Sequence, residues 1–193
     1  MKLNITTLTL GLLGIYALSG CTALVVGGVA AGATTTAAVA TDPRSGGGVI
    51  DDQDLRGKVK DMLKAALPGN DIEVTSYHQN ILLSGQVKIV EQKIKAERVT
   101  HEALGVRKVY NYIEVGNPVS STSKDAYLTS AIKSKLLVSK GVNSNDIKVV
   151  TTNATVYLLG MVDAHQAKKI ERIVSKMDGV KKVVGLFEYV NEK

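Results

Sequence analysis

From residue 51 onward the apolar positions keep two alternating periods, each used twice. Leu55, Val59 and Leu63 recur every four residues, as do Leu128, Ile132 and Leu136, the stripe of a helix with one buried face. Pro68-Gly69-Asn70 stops the first of these helices, and Gly141 and Asn143 lie past the end of the second. β-rich runs follow: Ile72 to Tyr77 and Asn80 to Val87 flank His78-Gln79, while Ile147 to Thr151 and Thr155 to Val162 flank Thr152-Asn153-Ala154. Short polar gaps between such runs predict hairpins. A second helix starts near Ile89 in one case and behind Asp163, an N-cap residue, in the other. Gly105 and Gly179 stand where a helix C-cap is expected, before final strands over Lys108 to Val115 and Lys182 to Val190.

The two series are one unit written twice. Asp71-Ile72, Val74, Gly85 and Val87 match Asp146-Ile147, Val149, Gly160 and Val162 at an offset of 75. Gln92, Gly105-Val106, Lys108-Val109 and Glu114 match Gln166, Gly179-Val180, Lys182-Val183 and Glu188 at 74. The first helices match at 73, so the loop before Asp146 is two residues longer than that before Asp71. The expected fold class is α+β: two tandem domains, 52–116 and 124–191, each α-β-β-α-β. Each would have a three-stranded mixed sheet with two helices on one face and the other face wet. Gly116-Asn117-Pro118 and Ser120-Ser121-Thr122-Ser123 between them read as a hinge or a packed turn.

Ahead of the repeat, Lys2 and the apolar run Ile5 to Leu18 lead into Ser19-Gly20-Cys21. A positive start, an apolar stretch too short for a stable span and small residues at the cut define a secretory signal over 1–20. Leu18-Ser19-Gly20-Cys21 resembles the lipobox of bacterial lipoproteins, which implies acyl chains on Cys21, the lipidation site. Thr22 follows rather than the Asp of inner-membrane retention, so the implied destination is the periplasmic face of the outer membrane. Cys21 is the only cysteine, so no intramolecular disulfide forms. Residues 21–51 read as a lipidated low-complexity tether ending in a turn, Asp42-Pro43-Arg44-Ser45, and a flexible linker, Gly46-Gly47-Gly48.

The chain of 193 residues carries 24 basic and 18 acidic side chains. That balance favours an anionic partner, and export argues for an anionic phospholipid membrane over nucleic acid. Residues 52–115 hold ten basic and nine acidic side chains, whereas 124–193 hold twelve and seven. The excess therefore lies in the second copy. His78, His101 and His165 have no partner at metal-ligand spacing, and no nucleophile sits in a recognisable elbow. The carboxylates scatter over helix surfaces with no isolated buried pair. No enzyme, metal, cofactor or small-molecule substrate is expected.

The α-β-β-α-β repeat, with Gly85 and Gly160 in the hairpins and Gly105-Val106 and Gly179-Val180 entering the last strands, resembles the BON domain over Asp52 to Val115 and Asp125 to Val190. Two copies behind a lipobox, with Thr41-Asp42-Pro43-Arg44-Ser45, Val109-Tyr110-Asn111 and Lys135-Leu136-Leu137, are similar to the dual-BON outer-membrane lipoproteins of Gram-negative bacteria. The resemblance implies binding of anionic phospholipid, enrichment at the division septum and support of outer-membrane integrity. Tyr127 departs from that pattern, which leads one to expect a larger aromatic there.

The candidate lipid-binding residues lie on the second copy's first helix. With Leu128, Ile132 and Leu136 turned inward at about 100° per residue, Ser130, Ser134 and Leu137 turn outward. Tyr127 and Val138 lie on one flank and Lys133 on the other. Apolar groups beside lysines suit a bilayer interface. The matching positions of the first copy, Gly57, Lys60, Asp61 and Lys64, form an ordinary solvated face. Two other readings stay open: Leu137 and Val138 pack on the rest of the chain, or they dock an envelope-assembly or cell-wall protein.

Overall fold

A computed structural model describes residues 46–117 and 121–190. The signal, Cys21 and nearly all of the tether lie outside the described residues. The first copy runs α1 (Gly46–Ala66), β1 (Asp71–Tyr77), β2 (Asn80–Val87), α2 (Val90–His101), β3 (Lys108–Asn111) and β4 (Glu114–Val115). The second runs α3 (Thr122–Leu137), a 3₁₀ turn (Ser144–Asp146), β5 (Ile147–Thr152), β6 (Thr155–Val162), α4 (Ala164–Val174) and β7 (Lys182–Tyr189). In each sheet the middle strand pairs antiparallel with its hairpin partner and parallel with the last strand. Both copies are thus α+β units with mixed sheets.

Three boundaries differ from expectation. The helix begins at Gly46, so Gly46, Gly47 and Gly48 are its first turn rather than a linker. Extending a formed helix is far easier than nucleating one, even through glycine. Thr122 and Ser123 likewise belong to α3. Helices α2 and α4 end at His101 and Val174, so Gly105 and Gly179 serve the following turns, at φ +96° and +88°, rather than capping the helices directly.

The expected last strand of the first copy is broken into β3 and β4. Asn111 turns its amide to the α2 side, donating to the carbonyl of Lys93 at 3.1 Å and to Glu97 at 2.9 Å. Its side-chain oxygen accepts from the backbone N–H of Ile113 at 3.2 Å. That local bond competes with the sheet ladder and produces the break.

Each copy buries its helical stripe on one sheet face. Leu55, Val59 and Leu63 meet Val74, Ile81 and Leu83, with Ala96 and Val99 from α2. Leu128, Ile132 and Leu136 meet Val149, Val156 and Leu158, with Ala167 and Ile170 from α4. Gly85 and Gly160 are required by close approach: a Cβ there would lie 2.0 Å from the carbonyl oxygen of Asp71 and 2.5 Å from that of Asp146.

The hairpin turns are held by buried carboxylates, contrary to the expectation that acidic side chains only cover helix surfaces. His78 and Gln79, and Asn153 and Ala154, all have positive φ, the requirement of a two-residue type I′ turn. For non-glycine residues this costs about 1–2 kcal/mol each. Asp52 accepts the N–H groups of His78 and Gln79 at 2.7 and 2.8 Å. Asp125 does the same for Asn153 and Ala154 at 2.9 Å each. Asp52, in the second turn of α1, and Asp125, in the first turn of α3, are both buried, so each ties helix to hairpin. Asp125→Ala is expected to lower stability by about 3 kcal/mol, since charged hydrogen bonds are lost and two N–H groups are orphaned. Urea unfolding measures this.

The sheet face expected to be wet is buried as well, because the two copies dock sheet to sheet. Tyr77 and Leu82 of the first copy form one cluster with Tyr157, Leu159 and Leu186 of the second. The Tyr112 and Tyr157 rings lie 5.2 Å apart in a tilted arrangement. The order of layers is helices, sheet, sheet, helices. The packing is nearly isologous: Glu188, ending β7, approaches His78 at 2.8 Å in the first copy's turn, while its counterpart Glu114 accepts from Asn153 at 3.1 Å in the second's. Arg107 lies 3.6 Å from Glu188. Tyr77 donates to the carbonyl of Asp146 at 3.3 Å, Lys148 to that of Ser76 at 2.9 Å, and Thr152 to Ser84 at 3.0 Å.

Burial, and then the nearby charge of Glu114, push the Tyr157 phenol up to about 12. Below about 10 it is neutral in the folded and unfolded chain alike. Between about 10 and 12 the unfolded chain releases the proton and the folded one keeps it, so stability falls as pH rises through that window. Thermal melts across the window should show this loss, and Tyr157→Phe should flatten it.

Candidate functional site

Docking through the sheets leaves every helix on the outside. On α3, Tyr127, Ser130, Lys133, Ser134, Leu137 and Val138 are all exposed. Tyr127, Leu137 and Val138 show 77%, 70% and 75% of their surfaces to solvent, and among the described residues none packs beneath another part of the fold. At 1.5 Å per residue, Tyr127 and Val138 stand about 16 Å apart along the helix and within about 20° of one another around it. They form the two ends of a shallow ridge, with Leu137 beside the far end. Ser130 returns its hydroxyl to the carbonyl of Ala126 at 3.0 Å, whereas Ser134 points to solvent without such a bond.

The electrostatics of this face follow from the turn described above. Asp125 is the only carboxylate on α3, and it is buried against the hairpin N–H groups. The exposed charges of α3 are therefore Lys124, Lys133 and Lys135, all cationic. Lys169 of α4 adds another near the end of α3. Its ammonium lies 2.9 Å from where a Cβ on Gly141 would sit, and Gly141 has φ +66°. The equivalent surface of α1 mixes exposed Asp54 and Asp61 with Lys58, Lys60 and Lys64.

Below Leu137 lies a recess of 290 Å³ between α3 and the 3₁₀ turn. Lys133, Ser134, Ser144 and Asn145 form its polar rim; Leu136, Ile147 and Val149 form its floor. The sequence pointed to this place only through the two extra residues before Asp146.

Sequence reasoning also missed apolar exposure on the first copy. Ile89, Val90 and Ile94 at the start of α2 are exposed, Ile94 by 61%. Their counterparts in the second copy are Asp163, Ala164 and Lys168. Among the described residues no group of three His, Cys, Asp or Glu side chains could hold a metal ion, and no helix is long and apolar enough to cross a membrane.

A BON-domain family model matches residues 51–117 and 124–191. The chain is 39% identical over 179 residues to the outer membrane lipoprotein DolP of Haemophilus influenzae, covering 90% of this chain and 91% of that protein. It is 34% identical over 154 residues to a 21 kDa hemolysin of Actinobacillus pleuropneumoniae, with 77% and 79% covered. It is also 34% identical over 144 residues to the osmotically-inducible protein Y of Escherichia coli, with 71% and 72% covered.

Proposed function

This chain belongs to the BON-domain family, and from that premise we propose that it is an outer-membrane lipoprotein of the cell envelope that grips anionic phospholipid through α3. Likeness to an outer membrane lipoprotein over nine-tenths of both chains supports the compartment and the envelope role. The lipobox ending at Cys21 supports the anchor. The carrying observation for the finer reading is the α3 face itself: Tyr127, Leu137 and Val138 exposed together, flanked by lysines, with the one acidic residue turned inward.

The mechanism is attachment at two points. Acyl chains on Cys21 confine the protein to a membrane, and α3 then meets headgroups at high effective concentration. Leu137 and Val138 enter the interface while Lys133 and its neighbours meet phosphate, at about 1 kcal/mol per cation near the surface. The second contact is individually weak and salt-sensitive, so it responds to local lipid composition. Such a response would gather the protein where anionic lipid concentrates, including the division site, and so support outer-membrane integrity.

The test is flotation with vesicles, using residues 21–193 carrying Cys21→Ser so that no acyl chain contributes. Binding should need acidic lipid, fall between low and high salt, and drop at least tenfold in Leu137→Glu. Because Leu137 is exposed, that variant should melt like the parent. Undiminished binding by Leu137→Glu would refute lipid contact through α3 and favour the reading in which this face docks an envelope-assembly or cell-wall protein.

A further inference from the structure

Along α2 of the first copy, Val90, Glu91, Ile94, Arg98 and His101 are all exposed. At 100° per residue they fall within about 100° of one another, turned away from the buried Ala96 and Val99. Ile89, the N-cap residue, lengthens the stripe by one more exposed apolar side chain. Because the layers run helices, sheet, sheet, helices, this face and that of α3 point to opposite sides of the molecule.

The second copy shows what the fold alone asks of this helix. There the N-cap is Asp163, whose carboxylate accepts from the N–H of Gln166 at 2.7 Å. Ile89 makes no such bond; the Gln92 side chain reaches back instead, accepting from the N–H of Lys88 at 3.0 Å. An aliphatic residue in place of a capping aspartate gives up stability. Isoleucine and valine exposed beside it gain nothing for a single chain. The matching stripe of α4 reads Ala164, His165, Lys168 and Arg172, with no large aliphatic side chain and no acid. The face on α2 is thus a departure that the monomer's own fold does not reward.

The order of its charges restricts what can cover it. Glu91 stands about one turn before Ile94 and Arg98 about one turn after, on the same side of the helix. Neither of these two charged side chains bonds to another described residue. An acid ahead of an apolar centre and a base behind it make a stripe that is complementary to its own reverse. In an antiparallel pair with a two-fold axis at Ile94, the isoleucines meet each other. Glu91 of each chain then faces Arg98 of the other, so the pair of charges forms twice, as an isologous contact requires. Against an anionic bilayer, by contrast, Glu91 would be repelled.

We propose that this face docks a second copy of the chain, α2 against α2 in antiparallel, with Val90 and Ile94 at the centre and two Glu91–Arg98 pairs at the rim. The apolar contact is small, which places the pair at the weak end of protein interfaces. Acyl chains on Cys21 would hold the copies in one layer and raise their effective concentration, so pairing follows how densely the protein gathers. Both α3 faces stay uncovered in the pair, and the proposal stands whatever α3 binds.

The experiment is sedimentation velocity on residues 21–193 carrying Cys21→Ser. The parent should pass from monomer towards dimer with a midpoint on the order of 0.1–1 mM, as a small interface predicts. Ile94→Glu should stay monomeric over the same range. Glu91→Arg and Arg98→Glu should each weaken pairing by about tenfold or more, because like charges then face each other twice. Mixed in equal amounts, those two variants should pair as the parent does, because every facing pair is again opposite in sign. All three positions are exposed, so each variant should melt like the parent. A parent that is still monomeric at about 1 mM, single variants that associate as the parent does, or a mixture no tighter than its components overturns the proposal. A monomeric parent whose vesicle flotation falls in Ile94→Glu overturns it too, and gives the face to the membrane.

Discussion

Burial of both faces of both sheets organises this molecule. A sheet with helices on one side satisfies only half of its apolar surface. Here the other half, Tyr77 and Leu82 against Tyr157, Leu159 and Leu186, meets its own sibling. Fully burying a side chain of this size stabilises by about 1.5–3 kcal/mol. Glu188 and Glu114 then place a carboxylate at each end of the joint, next to the opposite copy's hairpin turn. Because the sheet faces are occupied by each other, it is the helices that present broad faces to anything else.

Duplication followed by divergence explains how one such unit acquires an uneven surface. The framework residues are kept: the aspartate that holds the turn, the hairpin glycine, the helical stripe. The outer positions are released from that constraint. On α3 the single acid serves the hairpin, so every exposed charge of the outer face is a lysine. On α1 exposed acids and bases mix. The same divergence put Ile89, Val90 and Ile94 on the first copy, where the second has polar or small residues.

Much of this was legible in the residue pattern. Offsets of 73, 75 and 74 define the repeat, and the apolar periods define the element order. The outward placement of Tyr127, Leu137 and Val138 follows from 100° per residue once the buried stripe is known. The docked sheets were signalled too: Ile81-Leu82-Leu83 and Tyr157-Leu158-Leu159 are continuous apolar runs, and a strand with one wet face alternates instead. Asp52 and Asp125 were not legible as buried groups, because their partners are backbone N–H groups more than twenty residues away. The recess was hidden for a similar reason, since its rim joins a helix to a turn whose geometry the two-residue insertion alone does not specify.

The most direct test of the account is a nuclear Overhauser measurement between the Tyr112 and Tyr157 rings in the intact protein. Their centroids, 5.2 Å apart across the joint, should give clear cross-peaks, and both copies should tumble with one correlation time. Absent cross-peaks together with independent tumbling of the two copies would contradict the sheet-to-sheet docking on which the outward display of α3 depends.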